Sequence, residues 1–464
     1  MKTSAAFAAG FGGLRSATIP AEVFGQEYDP ESAKYGYGYL YSDPQGILDL
    51  PKGFSYSVIS TKGDEMDDGL VVPGAPDGMA ALSGPYGLTV IIRNHKLNPY
   101  DPGAYGKDRE LYKKVAPSMV YDAGDGRTPG SGGTSTIVYD SKTNHKVREF
   151  LSLTGTILNC AGGPTPWKTW ISCEATVVRA GEHGKDDEKY FVEKDHGYNF
   201  EVPITARMEL TDPIPLTDMG RFNHGAVAVD PKTGIVFQTE DRDDAIFYRF
   251  VPNRLGDLQQ GGKLQALAIK EQRSADTRNW EQDDRIDVGQ EFDVEWLDLK
   301  ETTSPKDDLR FRGFDDGAAR FARPEGIWYG NGELYFSCTA GGKDKIGQIW
   351  QYRPSYDEGT EQEGTTPGKL KLLLEPNNSE LVHSANNLTV APWGDLIVCE
   401  DRDQQVVRLV GVTPDGKFYP FAMNHMRTKF SGATFSPDGS TLFANLQSSG
   451  QTVAIRGPWH ERTV

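Results

Sequence analysis

Gly394-Asp-Leu-Ile-Val-Cys-Glu400 is a short apolar strand that leaves a turn and ends in an acidic residue. Five other segments follow the same plan, and each ends in a polar side chain of a type that binds metal ions or phosphate. They are residues 87–94, 167–174, 234–241, 332–338 and 439–445. Repeated hairpins that cannot bury their faces alone stack around a common axis. The repeats therefore predict an all-β fold, a six-bladed β-propeller with long loop insertions.

The repeats also indicate the domain organisation. They extend from Asp77 to Asn445 of a 464-residue chain, and no linker-like stretch interrupts them. The length alone is compatible with two or three domains. The unbroken repeat instead predicts a single domain over residues 30–464. Its expected loop insertions are 177–215 and 253–312, which are charged and rich in turn residues.

The strand ends are expected to meet at one end of the propeller channel. In an antiparallel hairpin the start of the first strand lies beside the end of the second. The residues expected there are Asp77, Asn94, Cys173, Glu174, Glu240, Glu325, Asn387 and Glu400. So many acidic groups in one place are costly unless cations neutralise them, which favours a metal site. The alternative is that each residue is a strand-end polar group satisfied by neighbouring backbone.

Charge excludes one class of partner. The formal net charge is −17, and the isoelectric point is near 5.0. Nucleic-acid binding relies on a basic surface, so no nucleic-acid partner is expected. No segment has the roughly 20 apolar residues that a membrane-spanning helix requires.

The N-terminus resembles an export signal. Residues 1–18 carry a lysine followed by a short Ala- and Gly-rich apolar stretch, too brief to span a membrane and typical of a signal-peptide core. We interpret this segment as the remnant of a twin-arginine-type signal, which predicts a periplasmic or secreted protein. The alternative is an Ala/Gly-rich tail without a targeting role.

Four cysteines are too few for a disulfide scaffold. Cys160 and Cys173 are expected neighbours across one hairpin, so in an oxidising compartment they can form a disulfide. The competing interpretation is that Cys173 is a thiolate metal ligand. Thiolate favours iron or zinc, whereas carboxylates favour calcium or magnesium. Cys338 and Cys399 are expected to be small buried strand residues.

Several motifs along the chain resemble one known family, the PhoX-type alkaline phosphatases, which are exported bacterial proteins. The motifs are Asn159-Cys-Ala-Gly-Gly-Pro-Thr-Pro-Trp167, Gly220-Arg-Phe-Asn-His224, Thr239-Glu-Asp-Arg242 and Arg323-Pro-Glu-Gly326. The resemblance implies a six-bladed propeller whose channel mouth holds calcium and iron (Fe³⁺) ions. It also implies hydrolysis of phosphate monoesters, with a small phosphorylated substrate. We expect the protein to act as a monomer.

The resemblance implies roles for individual residues. Cys173 matches an iron ligand, Glu240 and Glu325 match metal ligands, and Arg323 matches the residue that contacts phosphate. We therefore expect Arg323 to be catalytic. Lys168 is a second candidate for phosphate binding. The full set of candidate metal ligands is Asn94, Cys173, Glu174, Glu240, Asp241, Glu325, Asn387 and Glu400.

Three positions depart from the family pattern. Lys96, Ala175 and Gly225 stand where acidic residues are expected. Losing these acids removes negative charge that would hold several multivalent ions, and the Lys96 ammonium is able to replace a cation. The departures favour two alternatives to a phosphatase. One is a non-catalytic relative that binds a ligand, and the other is a calcium-dependent hydrolase of the lactonase type.

Overall fold

The computed structural model describes residues 34–185, 188–281, 285–402 and 405–462. The predicted signal remnant, residues 1–18, lies outside them. Within the described residues the secondary structure is β apart from short 3-10 turns and one helix, α1 (Leu309–Asp315). None of the described helices is long and apolar enough to cross a membrane.

The strands follow one another with short turns. The first twelve are β1 (Leu40–Tyr41), β2 (Leu48–Pro51), β3 (Ser55–Thr61), β4 (Pro76–Ser83), β5 (Thr89–His95), β6 (Gly132–Asp140), β7 (His145–Thr156), β8 (Asn159–Pro164), β9 (Thr169–Glu174), β10 (Gly181–His183), β11 (Tyr190–Val192) and β12 (Asn199–Pro203). The next eleven are β13 (His224–Val229), β14 (Val236–Glu240), β15 (Ala245–Ile246), β16 (Tyr248–Pro252), β17 (Gly262–Ile269), β18 (Glu291–Asp298), β19 (Arg320–Phe321), β20 (Pro324–Gly330), β21 (Glu333–Cys338), β22 (Gln348–Arg353) and β23 (Lys369–Leu374). The last seven are β24 (Ala385–Val390), β25 (Leu396–Glu400), β26 (Val407–Val412), β27 (Phe418–Asn424), β28 (Phe430–Phe435), β29 (Thr441–Leu446) and β30 (Gln451–Arg456).

The turns between paired strands follow from local chemistry. In the turn after β13, the Asp230 carboxylate accepts hydrogen bonds from the Lys232 amide at 2.9 Å and the Thr233 hydroxyl at 2.8 Å. Gly234 closes the turn with φ of 72°, a conformation that glycine adopts without steric cost. The turn therefore fixes the register in which β14 returns along β13.

The strands pair into antiparallel sets. Their orders are β4-β5-β6-β7, β12-β9-β8, β28-β29-β30-β3, and β1-β2-β27-β26-β25-β24. A nine-stranded sheet, β13-β14-β16-β17-β18-β23-β22-β21-β20, contains two further sets joined through β18. Because β3 pairs with β30, the start of the described chain completes the sheet formed by its end.

The first strands of these sets are arranged in a cycle. Going from β4 to β8, β13, β20, β24 and β28, each strand contacts the next, and β28 contacts β4. Apolar side chains fill the spaces between neighbouring sets. For example, Phe247 of one set stacks on Phe336 of the next at a centroid distance of 4.5 Å. The predicted all-β, propeller-like architecture is confirmed.

The predicted loop insertions differ from the structure. Segment 177–215 contains the hairpin β10-β11 but also β12, which pairs with β9. Segment 253–312 contains β17 and β18, both of them members of the nine-stranded sheet. Much of each segment therefore belongs to the sheets: β18 alternates between buried and more exposed residues over its first half, and the last four residues of β17 are buried.

Candidate functional site

A β-bulge interrupts the first pair of strands in each set at the same place. Register shifts occur between Pro76 and Met79 in the first set and between Pro324 and Ile327 in the fourth, and the other four sets repeat them. The first residues of the bulges are Asp77, Cys160, Gly225, Glu325, Asn386 and Gly432. A bulge re-aims side chains at the end of a strand. These six residues accordingly occupy equivalent places, and two of them, Asp77 and Glu325, are on the predicted list.

A second set of equivalent residues follows the second strand of each hairpin. In six places the backbone amide just after the second strand donates to the carbonyl just before the first, over 2.9–3.1 Å. The donors, which we call the post-strand residues, are Lys96, Ala175, Asp241, Thr339, Asp401 and Gln447. The acceptors, the pre-strand residues, are Ala75, Leu158, Asn223, Arg323, Ser384 and Lys429.

Seven charged residues from the bulge, post-strand and pre-strand positions form one group, which we call the mouth cluster. It consists of Asp77, Lys96, Asp241, Arg323, Glu325, Asp401 and Lys429. Arg323 donates from Nε to Asp241 Oδ1 at 2.9 Å and from a terminal nitrogen to Glu325 Oε1 at 2.6 Å. Lys429 Nζ lies 3.1 Å from Asp401 Oδ2. The side chain of Arg323 is 37 % exposed, so the cluster is open to solvent through this residue.

Burial and charge together set the protonation of the cluster. Burial, followed by the neighbouring Asp241 charge, raises the pKa of Glu325 to about 8. Burial alone would also raise the pKa of Asp241, but Arg323 and Lys96 outweigh it and hold that pKa below its ordinary value. Glu325 Oε2 has no hydrogen-bond partner among the described residues. Arg323, Lys429 and Lys96 act in the opposite direction and favour the carboxylate form of Glu325, which pairs with Arg323.

Three of the predicted acidic ligands, Glu174, Glu240 and Glu400, end their strands one residue before a post-strand residue. Glu174 accepts from His196 Nδ1 at 2.7 Å and from the Gly197 amide at 2.8 Å. Successive strand residues point to opposite faces, so a one-residue offset changes the surroundings completely.

Glu240 and Glu400 also contact protein groups, although Glu240 Oε1 has no hydrogen-bond partner among the described residues. Tyr248 donates to Glu240 Oε2 at 2.6 Å, and Arg310 lies 3.5 Å from Oε1. Arg408 donates from Nε to Glu400 Oε2 at 3.0 Å and also pairs with Oε1. These carboxylates stabilise the ends of their own hairpins, while Asp241 and Asp401, the next residues along, join the mouth cluster.

The two predicted asparagine ligands also bind protein groups. Asn94 donates to the carbonyls of Cys160 and Ala161, over 3.1 and 2.7 Å, and accepts from Trp170 Nε1 at 2.8 Å. Asn387 Oδ1 accepts from the Gly432 amide at 2.9 Å. Both amides join one set of strands to the next.

The cysteines are free thiols buried in the sheets. Cys160 Sγ is 3.1 Å from Lys96 Nζ. Cys173 is fully enclosed, and burial, reinforced by Cys160, holds its pKa well above the ordinary value, so it is a neutral thiol. Cys338 and Cys399 are fully buried strand residues, as predicted.

Lys168 lies away from the mouth cluster. It is an exposed residue of the turn that joins β8 to β9. In this hairpin Asn159 pairs with Glu174 at one end and Pro164 with Trp170 at the other, beside the turn. Lys168 is thus at the opposite end of the hairpin from Cys160, which removes it from the candidate phosphate site.

The departures at Gly225 and Ala175 have different consequences. A Cβ atom at Gly225 would lie 2.8 Å from Thr239 Oγ1 and 3.0 Å from the Glu325 carbonyl oxygen. Glycine is therefore required for close packing between two sets of strands, and an acidic side chain has no room there. Ala175 is a post-strand residue, so it leaves one of the six equivalent places without a polar side chain.

The donor set does not fit an iron–calcium cluster. Cys173 is enclosed as a thiol, and Glu174, Glu240 and Glu400 are engaged by protein groups. Of the residues that the structure describes, no three or more His, Cys, Asp and Glu are grouped so as to hold a metal ion. The mouth cluster has carboxylates, but two ammonium groups lie among them.

A cavity of about 510 Å³ adjoins the mouth cluster. Lys96 forms part of its wall together with Lys62, Lys107, Val72 and Leu97. The cavity thus combines apolar surface with positive charge. Sequence reasoning missed it, because Lys62 and Lys107 lie in loops outside the repeated hairpins.

The fold and the mouth cluster together define a propeller-like protein with a charged site at one end of its ring of first strands. The chain belongs to the family described as alkaline phosphatase PhoX, whose model matches residues 35–450. The family predicted from the motifs is therefore confirmed. Comparison with curated protein sequences finds no match.

Solved structures agree with the fold. The PhoX of Pseudomonas fluorescens, in complex with vanadate, a transition state analogue, superposes with a TM-score of 0.64 at 17% identity, covering 89% of this chain and 96% of that one. A gluconolactonase from Xanthomonas campestris matches with a TM-score of 0.35 at 11% identity, covering 87% and 98%. At 17% identity, the likeness to PhoX supports a shared fold and nothing further. The TM-score of the gluconolactonase is too low to support a shared fold.

One buried group beside the site gives a pH-dependent prediction. His196 lies between Glu174 at 2.7 Å and Asp122 at 3.2 Å. Burial alone would lower its pKa, but the two carboxylates raise it from 6.5 to about 9. The protonated His196 therefore stabilises the folded state fully at pH values below its pKa in the unfolded chain. This contribution, on the order of 3 kcal/mol, is lost as the pH rises through its pKa in the folded protein.

We expect the free energy of unfolding of the wild type, relative to His196→Gln, to fall by this amount between about pH 6 and pH 10. Urea unfolding at several pH values measures it. The exposed His145, replaced by Gln, is the matched control and should show no such trend. A wild-type advantage that is constant over this range would contradict a charged His196.

Proposed function

We propose that this protein hydrolyses phosphate monoesters at the mouth cluster. The observation that carries the proposal is the convergence of Arg323, Lys96 and Lys429 on one partly open group in a chain of the PhoX family. Guanidinium and ammonium groups are the side chains that bind phosphoryl oxygens. Glu325 orients Arg323 through one carboxylate oxygen, and its second oxygen has no hydrogen-bond partner among the described residues.

The proposed site has a natural division of roles. Arg323 would hold the phosphoryl oxygens with its planar donors, since its partners Asp241 and Glu325 fix its orientation. Lys96 lines both the cluster and the adjacent cavity. The organic part of the ester would occupy that cavity, whose walls include Val72 and Leu97.

We also propose that the propeller has six blades. Six hairpins with the same bulge, six equivalent backbone bonds and the cycle of first strands support this number. The joined sheet from β13 to β20 would then be two blades connected by β18. Export to the periplasm or the medium, and a monomeric state, remain predictions of the sequence.

Calcium and iron are not part of this proposal, because the residues present do not fit the cluster that the family resemblance implies. No step is assigned to a metal ion.

Turnover of p-nitrophenyl phosphate tests the proposal directly. We expect release of p-nitrophenol and competitive inhibition by inorganic phosphate and by vanadate, since the Pseudomonas fluorescens relative forms a complex with vanadate as a transition state analogue. Turnover is measured in the presence of a chelator and, separately, with added Ca²⁺ or Fe³⁺. Absence of turnover under all of these conditions would contradict the proposed activity.

A specific observation favours one alternative, a protein that binds phosphorylated ligands without turnover. Arg323 is already paired with two carboxylates, and no activated nucleophile is evident in the mouth cluster. Calorimetric binding of a phosphate ester together with absent turnover would identify this function.

A further inference from the structure

The mouth cluster contains its own cations. Four carboxylates, those of Asp77, Asp241, Glu325 and Asp401, face three basic groups, those of Lys96, Arg323 and Lys429. Asp77 and Glu325 are each only 2 % exposed. Buried carboxylates persist as charges only when cations compensate them. The protein itself supplies nearly all of that compensation.

Lys96 is surrounded by acceptors. Burial acts to lower its pKa, but Cys160, Asp77, Glu325 and Asp241 outweigh burial and hold the pKa well above the ordinary value. Its Nζ lies 3.1 Å from Cys160 Sγ. The ammonium group therefore stays charged and faces carboxylates from three different sets of strands.

Lys429 provides the second ammonium. It donates to Asp401 Oδ2, which also accepts from Asn386 Nδ2 at 2.8 Å. Burial and the nearby Lys96 act against its charge, but Asp401, Asp77 and Glu325 keep its pKa above the ordinary value. The two lysines thus share Asp77 and Glu325 between them.

We infer that Lys96 and Lys429 are internal counter-ions that neutralise the mouth cluster, so that this protein meets an anionic ligand there without a multivalent metal ion. The neutralisation of the mouth cluster without a metal ion does not depend on hydrolysis, whereas the anionic ligand rests on the proposed function.

Coulombic repulsion explains why a metal ion would be excluded. A divalent ion placed among these carboxylates would be repelled by the two ammonium groups that interact with the same carboxylates. Calcium also requires six to eight oxygen ligands. Here Asp241, Glu325 and Asp401 already direct oxygens to Arg323 or Lys429. Removing one ammonium would free carboxylate oxygens and leave negative charge uncompensated, which is the condition for binding Ca²⁺.

Metal content and melting temperature test the inference. Wild-type protein purified without chelator should hold much less than one calcium or iron per chain, and neither chelator nor Ca²⁺ should shift its melting temperature. In Lys96→Met and, separately, Lys429→Met, Ca²⁺ should raise the melting temperature by a few degrees, because binding to the folded state stabilises it. Lys62→Met, which removes a lysine from the wall of the adjacent cavity, is the matched control and should not respond.

Stoichiometric calcium or iron in the wild type, or a melting temperature that falls on chelation, would overturn the inference without any variant. So would lysine variants that respond to Ca²⁺ no more than Lys62→Met.

Lys96→Arg keeps the charge and should behave as the wild type if Lys96→Met fails to fold. Titration of the chelator-treated protein with inorganic phosphate measures whether an anion binds without a metal ion. Binding that is retained after chelation supports the inference, and binding that requires an added metal ion contradicts it. If phosphate binds under neither condition, the proposed function fails, and the metal measurements still decide the role of the lysines.

Discussion

Alanine in place of Arg323 is expected to lower kcat/KM for a phosphate ester by about 100-fold or more, because one preorganised donor to a phosphoryl group contributes that much to transition-state stabilisation. Arg323 is the partly exposed guanidinium of the mouth cluster, and two carboxylates hold it in place. Arg323→Lys should recover only part of the loss, since an ammonium cannot reproduce the planar pair of donors.

The folded state should survive this substitution. Arg323 has φ of 50°, but Ala75 and Leu158 adopt φ of 43° and 52° at equivalent pre-strand places, so an L-residue with a short side chain is accommodated. Its left-handed backbone is therefore a feature of the repeat and not strain specific to catalysis. Arg353→Ala, which removes an exposed arginine paired with Glu291 at 3.0 Å, is the control. Turnover by Arg323→Ala equal to that of Arg353→Ala would rule out phosphate contact by Arg323.

Much of the fold was predictable because the hairpin pattern is local. A turn residue such as Asp230 and an apolar run that ends in a polar residue are visible in the sequence, and the six hairpins appear where they were expected. The outer strands were less evident. β18, for example, lies in a charged segment and has few buried residues, because an outer strand needs only one apolar face.

The mouth cluster contains three residues that the sequence predicted for the site, Asp241, Glu325 and Arg323. At other strand ends the prediction differs by one residue, which places a side chain on the other face of a strand. Glu240 and Glu400 satisfy protein groups, whereas the next residues, Asp241 and Asp401, enter the mouth cluster. Only the bulge and the backbone bond to the pre-strand residue define which side chain turns inward. Neither feature has a clear signature in the sequence.

Lys429 was missed for a related reason. It belongs to no motif and stands alone before β28. The one available signal was its likeness in position to Arg323, because both precede the first strand of a hairpin. That likeness becomes apparent only when the equivalent backbone bonds are compared.

The largest loss of stability is expected from Arg93→Met. Arg93 is fully buried and pairs with Glu149 at 2.6 Å, and both side chains are enclosed. Its guanidinium also donates to Ser60 Oγ at 3.0 Å and to Thr452 Oγ1. Removing one member of a buried ion pair typically costs about 3–5 kcal/mol. The loss should lie near the lower end of this range, because Lys146 also pairs with Glu149 at 2.6 Å and remains as its counter-ion. Urea unfolding of the variant measures this cost.

The pair can be separated from its surroundings by a double-mutant cycle. Replacing both Arg93 and Glu149 with methionine should cost much less than the two single changes added together, because neither charge is then left alone. The exposed pair of Arg353 and Glu291 is the matched comparison, and Arg353→Met should change stability by less than about 1 kcal/mol. Additive effects at Arg93 and Glu149 would contradict a coupled buried pair.

The position of this ion pair predicts which strands are destabilised first in Arg93→Met. Arg93 and Glu149 belong to β5 and β7 of the first sheet, whereas Ser60 and Thr452 belong to β3 and β30 of the last. The guanidinium therefore joins the two sheets at the place where the cycle of first strands closes. In Arg93→Met, hydrogen exchange should accelerate first in β3 and β30, since the sheets at the closure lose their polar connection while the other interfaces keep theirs. Uniform acceleration across all sheets would instead indicate that the network stabilises the whole propeller equally.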